Sequence, residues 1–542
     1  MKRPGQADHP FAEWKRFFTT YSADTLAGLF LIAFIVIKWP YLSLPYFWDA
    51  VWVYAPAIQE MAKTIPSIVP DVISTNLSRA HPLLFHFLGG LWIKLWGNTV
   101  FNLNVLALII STLTLASIYV TGKYFHRSET GLWAMAFCAI QEIFLAQSVQ
   151  ILPEMLLTLN VILVIYFFGR GHFWGTVVMA TLLLYTKESG AVLILAMGLW
   201  TILDLAVRRP QGWGHIFSRR LAMLGLPVAL ASLHFLYLKW KFGWFLYPEH
   251  LDYLERDIGT IWHKAKYIFD FIFRRQGRDW FTLGGAAVMV WFWYGHRWAF
   301  KFLLIAALWL LYWLFYQGGG WSYLWRFVII VPLAVALWWW IVSKIHESQP
   351  RLAYVLGLTS IYVLLFIWWS AYNVFTVRYV LNLIPIYALY LGVVVGRMQI
   401  PLRWIPVGVL ALSLVALVNI RQPDGISDID LNYADGVRVH QSMVNYFHDS
   451  LPPAFALGTL LEKAALEDPR AGYLEGREKQ ITVDLAPARH LKYGIRTNID
   501  LSVPINSFDT LGFKPLHKIS RGEAWIEIFT NDSILLQTKI NH

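Results

Sequence analysis

The chain has 542 residues, of which 57% are hydrophobic and 15% charged, with 28 tryptophans and a mean hydropathy of +0.49. Soluble domains carry about 25% charged residues, so these values exclude a disordered chain or an ordinary soluble enzyme and indicate a polytopic membrane protein. The net charge of +11 is unevenly placed: residues 421–542 hold 16 acidic and 13 basic side chains, leaving 18 acidic and 32 basic side chains in residues 1–420. A basic membrane part first suggests the positive-inside bias of cytoplasmic loops, and with no soluble basic domain to hold it, nucleic acid is excluded as a partner.

Taken in chain order, apolar runs of about 20 residues predict about thirteen spans: 24–42, 100–121, 130–147, 153–169, 172–187, 189–207, 221–241, 281–296, 301–316, 325–343, 352–371, 379–396 and 404–420. The first follows Lys2, Arg3, Lys15 and Arg16 without a small-residue cleavage site, which predicts an uncleaved span with its N-terminus in the cytoplasm. Basic residues then mark alternate connections at Lys123/Arg127, Arg170, Arg208 to Arg220, Arg297/Lys301, Lys344/Arg351 and Arg397/Arg403, all predicted to be cytoplasmic. Residues 43–98 become a long external loop with interfacial helices over Trp48–Thr64 and His81–Trp96, and residues 242–280 a second external loop. From 421 onward the pattern changes to a small external α/β domain of about 120 residues. Strands are predicted at Gln480–Leu485, Ile499–Val503 and Ala524–Phe529, and helices at Val437–His448 and Ala454–Ala465.

Charges at the outer ends of spans run against the positive-inside rule and are the informative ones. They include Asp49, Arg79, His81, Glu142, Glu154, Lys187, Glu188, Lys239, Lys241, Arg274, Arg275, Arg278, Arg326 and Arg378, and their shared face predicts one external cavity. Asp49, among aromatics at the membrane lip, suits a general base, or an N-cap for the helix that follows. Glu154 follows Pro153 at a span start, where an acid also favours the helix dipole. Lys187-Glu188 interrupts two apolar runs at an outer turn. Arg326 and Arg378 open spans where arginine is locally unfavourable, which suggests a bound anion such as phosphate. The trio Arg274, Arg275 and Arg278 reads more simply as lipid-headgroup contacts. His81 and His86 offer no specific metal-ligand spacing, so no obligatory cofactor is predicted and a divalent metal stays open.

These features together resemble the GT-C glycosyltransferases, in the branch of lipid A aminoarabinose transferase and the protein O-mannosyltransferases. The motifs are Trp48-Asp49 after the first span, His81-Pro82-Leu83, Gln147-Ser148 before Glu154, Thr186-Lys187-Glu188, Arg378-Tyr379 with Pro385, and an external tail. The resemblance implies an all-α GT-C membrane domain over 1–420 with a periplasmic α/β domain over 421–542. It implies an inverting transferase in a bacterial inner membrane that moves a sugar from a polyprenyl-phosphate carrier to a lipid-linked, glycan or protein acceptor. Asp49 then matches the general base and Glu154 the second acid; Lys187 and Arg378, with Arg326, hold the carrier phosphate, and Trp48, His81 and Glu188 line the substrate cavity. Because Arg79-Ala80-His81-Pro82 departs from the aminoarabinose transferase pattern, that enzyme's metal site and lipid A specificity are not implied. An oligosaccharide ligase with a diphosphate-linked donor, or a lipid or solute transporter, remains as the alternative.

Overall fold

A computed structural model describes residues 23–208, 211–275, 278–279, 281–282, 285, 342–343, 345–398, 426–474, 476–478, 480–503, 508 and 511–532. The predicted spans 301–316 and 404–420, most of 281–296 and 325–343, and Arg326 lie outside them.

Among the described residues six helical segments are long and apolar enough to cross a membrane: Ala23–Tyr41, Val100–Phe125, Glu188–Val207, Trp213–Phe242, Pro350–Tyr372 and Val377–Arg397. Pro153–Gly169 and Phe173–Thr186 are shorter apolar helices. Their ends are written locally: Pro153 and Glu154 start one helix, where proline lacks only a donor the helix would leave unpaired. Gly243, at a φ of 83°, closes the helix Trp213–Phe242. The predicted span 130–147 is in fact two helices, Ser128–Ala139 and Glu142–Gln147, broken at Ile140-Gln141. The span predicted from 379 begins as a 3-10 turn, Val377–Leu383, and becomes α-helical only at Ile384.

The long helix Val100–Phe125 crosses Ser128–Ala139 closely enough that a Cβ on Gly122 would lie 2.6 Å from the Gly131 Cα. Gly392 likewise abuts Thr130, where its Cβ would stand 2.6 Å from the carbonyl oxygen. Small residues allow this approach where apolar burial gives no drive between helices in lipid.

Among the described residues, three of the charges predicted to be cytoplasmic, Arg170, Arg219 and Arg351, share one end of the helices. Arg170 and Arg351 both stack on Tyr124, at 5.0 and 5.3 Å, and Arg219 donates to the Gly171 carbonyl at 3.1 Å. At the other end, residues 43–98 form the predicted pair of helices with altered starts. The first opens as a π-helical turn, Ala50–Tyr54, running into Ala55–Lys63, and the second spans Leu84–Trp96, three residues beyond His81.

From 426 onward the chain builds a five-stranded mixed sheet in the order β2-β1-β3-β5-β4. The strands are β1 Ala454–Leu457, β2 Ile481–Asp484, β3 Tyr493–Thr497, β4 Lys514–Arg521 and β5 Ala524–Thr530. β1 pairs in parallel with β2 and β3, while β5 is antiparallel to β3 and β4. Val483, Tyr493, Ile495, Ile526 and Ile528 are buried beneath the helix Tyr433–Ser450 and its neighbours. Two expectations fail. Ile499–Val503 is not a strand, because Thr497 and Asn498 end β3 by bonding across to Trp525. Ala454–Ala465 divides into β1 and the helix Leu460–Glu467, because Thr459 and Glu462 form a capping box that starts the helix there.

Candidate functional site

The sheet region docks directly on the start of the segment 43–98. The Tyr46 amide donates to Ala471 O at 3.2 Å, the Tyr473 hydroxyl donates to Tyr46 O at 2.9 Å, and Phe47 packs against Tyr433. The next residue, Trp48, takes a φ of 46°, a left-handed conformation costly for a large L-residue. Its indole N–H donates to Ile426 O at 3.2 Å and its ring meets Trp52 edge-on. The strained turn and the π-helical turn that follows present Asp49. Its carboxylate makes no N-cap bond, so the capping reading is not realised; instead it pairs with the Arg378 guanidinium.

Arg378 is 7% exposed and central. One terminal nitrogen binds Asp49, the other donates to Asp428 Oδ2 at 2.8 Å, and Nε lies 3.5 Å from Glu154 Oε1. Glu154, 1% exposed at the head of its helix, accepts from Lys187 Nζ at 2.9 Å. Lys187 Nζ also stands 3.8 Å above the Tyr379 ring, and its neighbour Thr186 accepts from Asn160 Nδ2 at 3.0 Å, which ties the motif to the helix carrying Glu154. Tyr54 adjoins the same charges. The structure thus gathers Asp49, Glu154, Lys187 and Arg378 into one cluster, buried except for the partly exposed Asp49. Where sequence suggested a bound anion at Arg378 and Lys187, both cations carry the protein's own carboxylates.

Beside the cluster, His81 Nδ1 lies 3.0 Å from the Glu188 carboxylate, and its ring stacks on His250 at 4.8 Å. Arg79 and Ala80, just before it, have φ values of 46° and 54°, a left-handed conformation strained for residues other than glycine. Among the described residues no group of three or more His, Cys, Asp or Glu side chains is placed to hold a metal ion. Among the described residues, His86, buried against Tyr54, finds no partner for either ring nitrogen, and none bonds the buried Gln147 amide of the Gln-Ser motif.

The remaining outer charges disperse. Lys239 caps its own helix end at Gly243 O, Lys241 reaches Asp71 at 3.4 Å and Arg274 pairs with Asp270 at 3.3 Å. Arg278 is fully buried, donating to Phe271 O and to Gln141 Oε1 at 2.9 Å. Its headgroup reading is therefore replaced by a role in packing its own segment onto the Ile140-Gln141 break.

Sequence reasoning missed Asp428. It sits on the segment Ile426–Leu431, which enters the cluster from the sheet side and is tied down by three backbone bonds. Trp48 Nε1 donates to Ile426 O, Gln150 Nε2 to Asp428 O at 2.9 Å, and Leu431 N to Glu142 Oε1 at 3.2 Å. Burial pushes the Asp428 carboxyl above its usual range, with the Arg378 charge opposing. Asp430, accepting from Ser427, is pushed by burial to about 6.

No family model matches the chain, and no curated protein does. Among the solved structures similar to it, two match across nearly their full length. One is ArnT from Cupriavidus metallidurans bound to undecaprenyl phosphate, at 11% identity, covering 94% of this chain and 98% of that one with a TM-score of 0.48. The other is the same protein in the apo state, at 12% identity, covering 95% and 99% with a TM-score of 0.48.

Proposed function

We propose that the chain is an inverting GT-C-type glycosyltransferase that moves a sugar from a polyprenyl-phosphate carrier to an acceptor hydroxyl at the outer end of its spans. The observation that carries this reading is the Asp49–Arg378–Glu154–Lys187 cluster: a partly exposed carboxylate, with 32% side-chain exposure, shares an arginine with a buried Lys–Glu pair at the membrane lip. Those residue types in that contact suit one displacement. Asp49 takes the acceptor proton; the acceptor oxygen bonds to the anomeric carbon as the bond from that carbon to the phosphate oxygen breaks; the electron pair leaves on the phosphate, beside Lys187 and Arg378. No covalent enzyme intermediate is needed.

Glu154 holds Lys187 and the Arg378 Nε in register, and Trp48, His81 and Glu188 line the approach. Arg326 joins as a third phosphate-binding candidate. We place about thirteen helices in the membrane domain, 1–420, and an external, periplasmic domain over 421–542, with the end marked by Arg170, Arg219 and Arg351 in the cytoplasm of a bacterial inner-membrane protein. The sugar is a hexose or pentose, and the acceptor a lipid, glycan or protein.

The test is turnover of a panel of synthetic polyprenyl-phosphate sugars by the purified chain in detergent. Release of polyprenyl phosphate with sugar on the acceptor is expected. Turnover only with diphosphate-linked oligosaccharides assigns the ligase instead, and lipid flipping without turnover assigns a transporter.

A further inference from the structure

Within that reading, the cluster presents a charge problem. Around Arg378 stand three carboxylates, Asp49, Glu154 and Asp428, against two cations, Arg378 and Lys187. A carrier phosphate arriving at the cations meets a net negative surrounding, so a carboxylate must give way. Glu154 is fixed: it is fully buried at the first turn of its helix and neutralises Lys187. Asp49 is needed as the base. Asp428 is different, because its backbone is held from three sides while its carboxylate is hydrogen-bonded, among the described residues, by Arg378 alone. The side chain can swing about χ1 without undocking the segment.

We propose that Asp428 is the specificity-determining carboxylate of the phosphate site: it occupies Arg378 in the donor-free protein and is displaced by the carrier phosphate. A neutral lipid, which cannot offer an anion to Arg378, leaves Asp428 in place and gains no foothold in the cluster. The device belongs to the tail. Ile426–Leu431 follows the last predicted span, so the region beyond the membrane part supplies a residue to the site rather than only covering it.

The inference rests on the transferase reading and is tested by binding, with turnover left out. The dissociation constant of a short-chain polyprenyl phosphate is measured for the full chain in detergent through its tryptophan fluorescence, with the unphosphorylated polyprenol as control. Asp428→Asn, isosteric and uncharged, is expected to bind the phosphate about tenfold more tightly, the effect of removing one partly screened charge, and to bind the alcohol as wild type does. Asp428→Glu restores the charge and is expected to return the phosphate affinity toward wild type. Should the asparagine variant not yield folded protein, Asp428→Ser removes the carboxylate with a smaller side chain and the same rise is expected.

Unchanged or weaker phosphate binding overturns the inference, as does an equal gain for the alcohol. Wild-type protein with no preference for phosphate over alcohol brings down the transferase reading beneath it.

Discussion

At the residue scale the cluster is a chain of dependencies. Among the described residues Lys187 is the one side chain that hydrogen-bonds the Glu154 carboxylate, whose second oxygen has no bond there. Removing one member of a buried pair strands a charge in low dielectric, which costs about 3–5 kcal/mol. Lys187→Met is therefore expected to lower the apparent melting temperature clearly, and Glu154→Gln placed on top of it to recover part of the loss. Additive destabilisation in a thermal-shift measurement of Lys187→Met, Glu154→Gln and the double variant contradicts the pairing.

Asp430 gives the pH counterpart. Its carboxyl titrates near 4 in an unfolded chain and at about 6 in the structure, so the folded state binds more proton between those values. Stability contributed by the protonated form is complete below about 4 and is lost as pH rises to about 6. Asp430→Asn keeps an acceptor for Ser427 and removes the charge. It is expected to melt higher than wild type at pH 8 and equally at pH 4; equal melting at both pH values refutes the buried titration.

At the scale of elements, sequence was informative wherever one local rule decided the outcome. The helix starting at Pro153-Glu154 follows from the proline and acid at its first turn, and the predicted helix Val437–His448 falls inside the observed Tyr433–Ser450. The break at Ile140-Gln141 does not, because no Pro or Gly marks it. Only the structure shows Arg278 bonding the Gln141 side chain. The 3-10 turn carrying Arg378 was hidden for a similar reason: its apolar residues fit a helical pattern, while the arginine's three carboxylate partners come from distant parts of the chain.

The close helix crossing at Gly122 and Gly131 is a further element-level constraint. Gly131→Leu must push the backbones apart, and overpacking costs about 1–3 kcal/mol. The expected result is a lower melting temperature with phosphate affinity per folded molecule unchanged, since the crossing is at the end of the helices away from the cluster. An unchanged melting temperature shows that the crossing has room to spare.

Over the whole molecule, Arg170, Arg219 and Arg351, which sequence placed on alternate basic connections, meet at one end of the helices, and Asp49, Glu154 and Lys187 gather around Arg378 at the other. Asp49, Glu154, Lys187 and Arg378 were legible because each breaks a rule about charge in membranes. Asp428 was not, because an aspartate in a polar segment after the last predicted span breaks none; its one signal was the closeness of Asp428 and Asp430 to that span's outer end. What joins the two regions is backbone bonding from Trp48, Gln150 and Glu142 to Ile426–Leu431, and such contacts leave no periodicity to read.

The central claim is that this convergence makes one transfer site with Asp49 as its base. It is tested most directly by single-turnover sugar transfer from a polyprenyl-phosphate donor, comparing wild type with Asp49→Asn while donor affinity is measured in parallel. A loss of about 10²- to 10⁴-fold in the transfer rate, the usual contribution of a general base, with the donor still bound, is predicted. Transfer at the wild-type rate in Asp49→Asn contradicts the account.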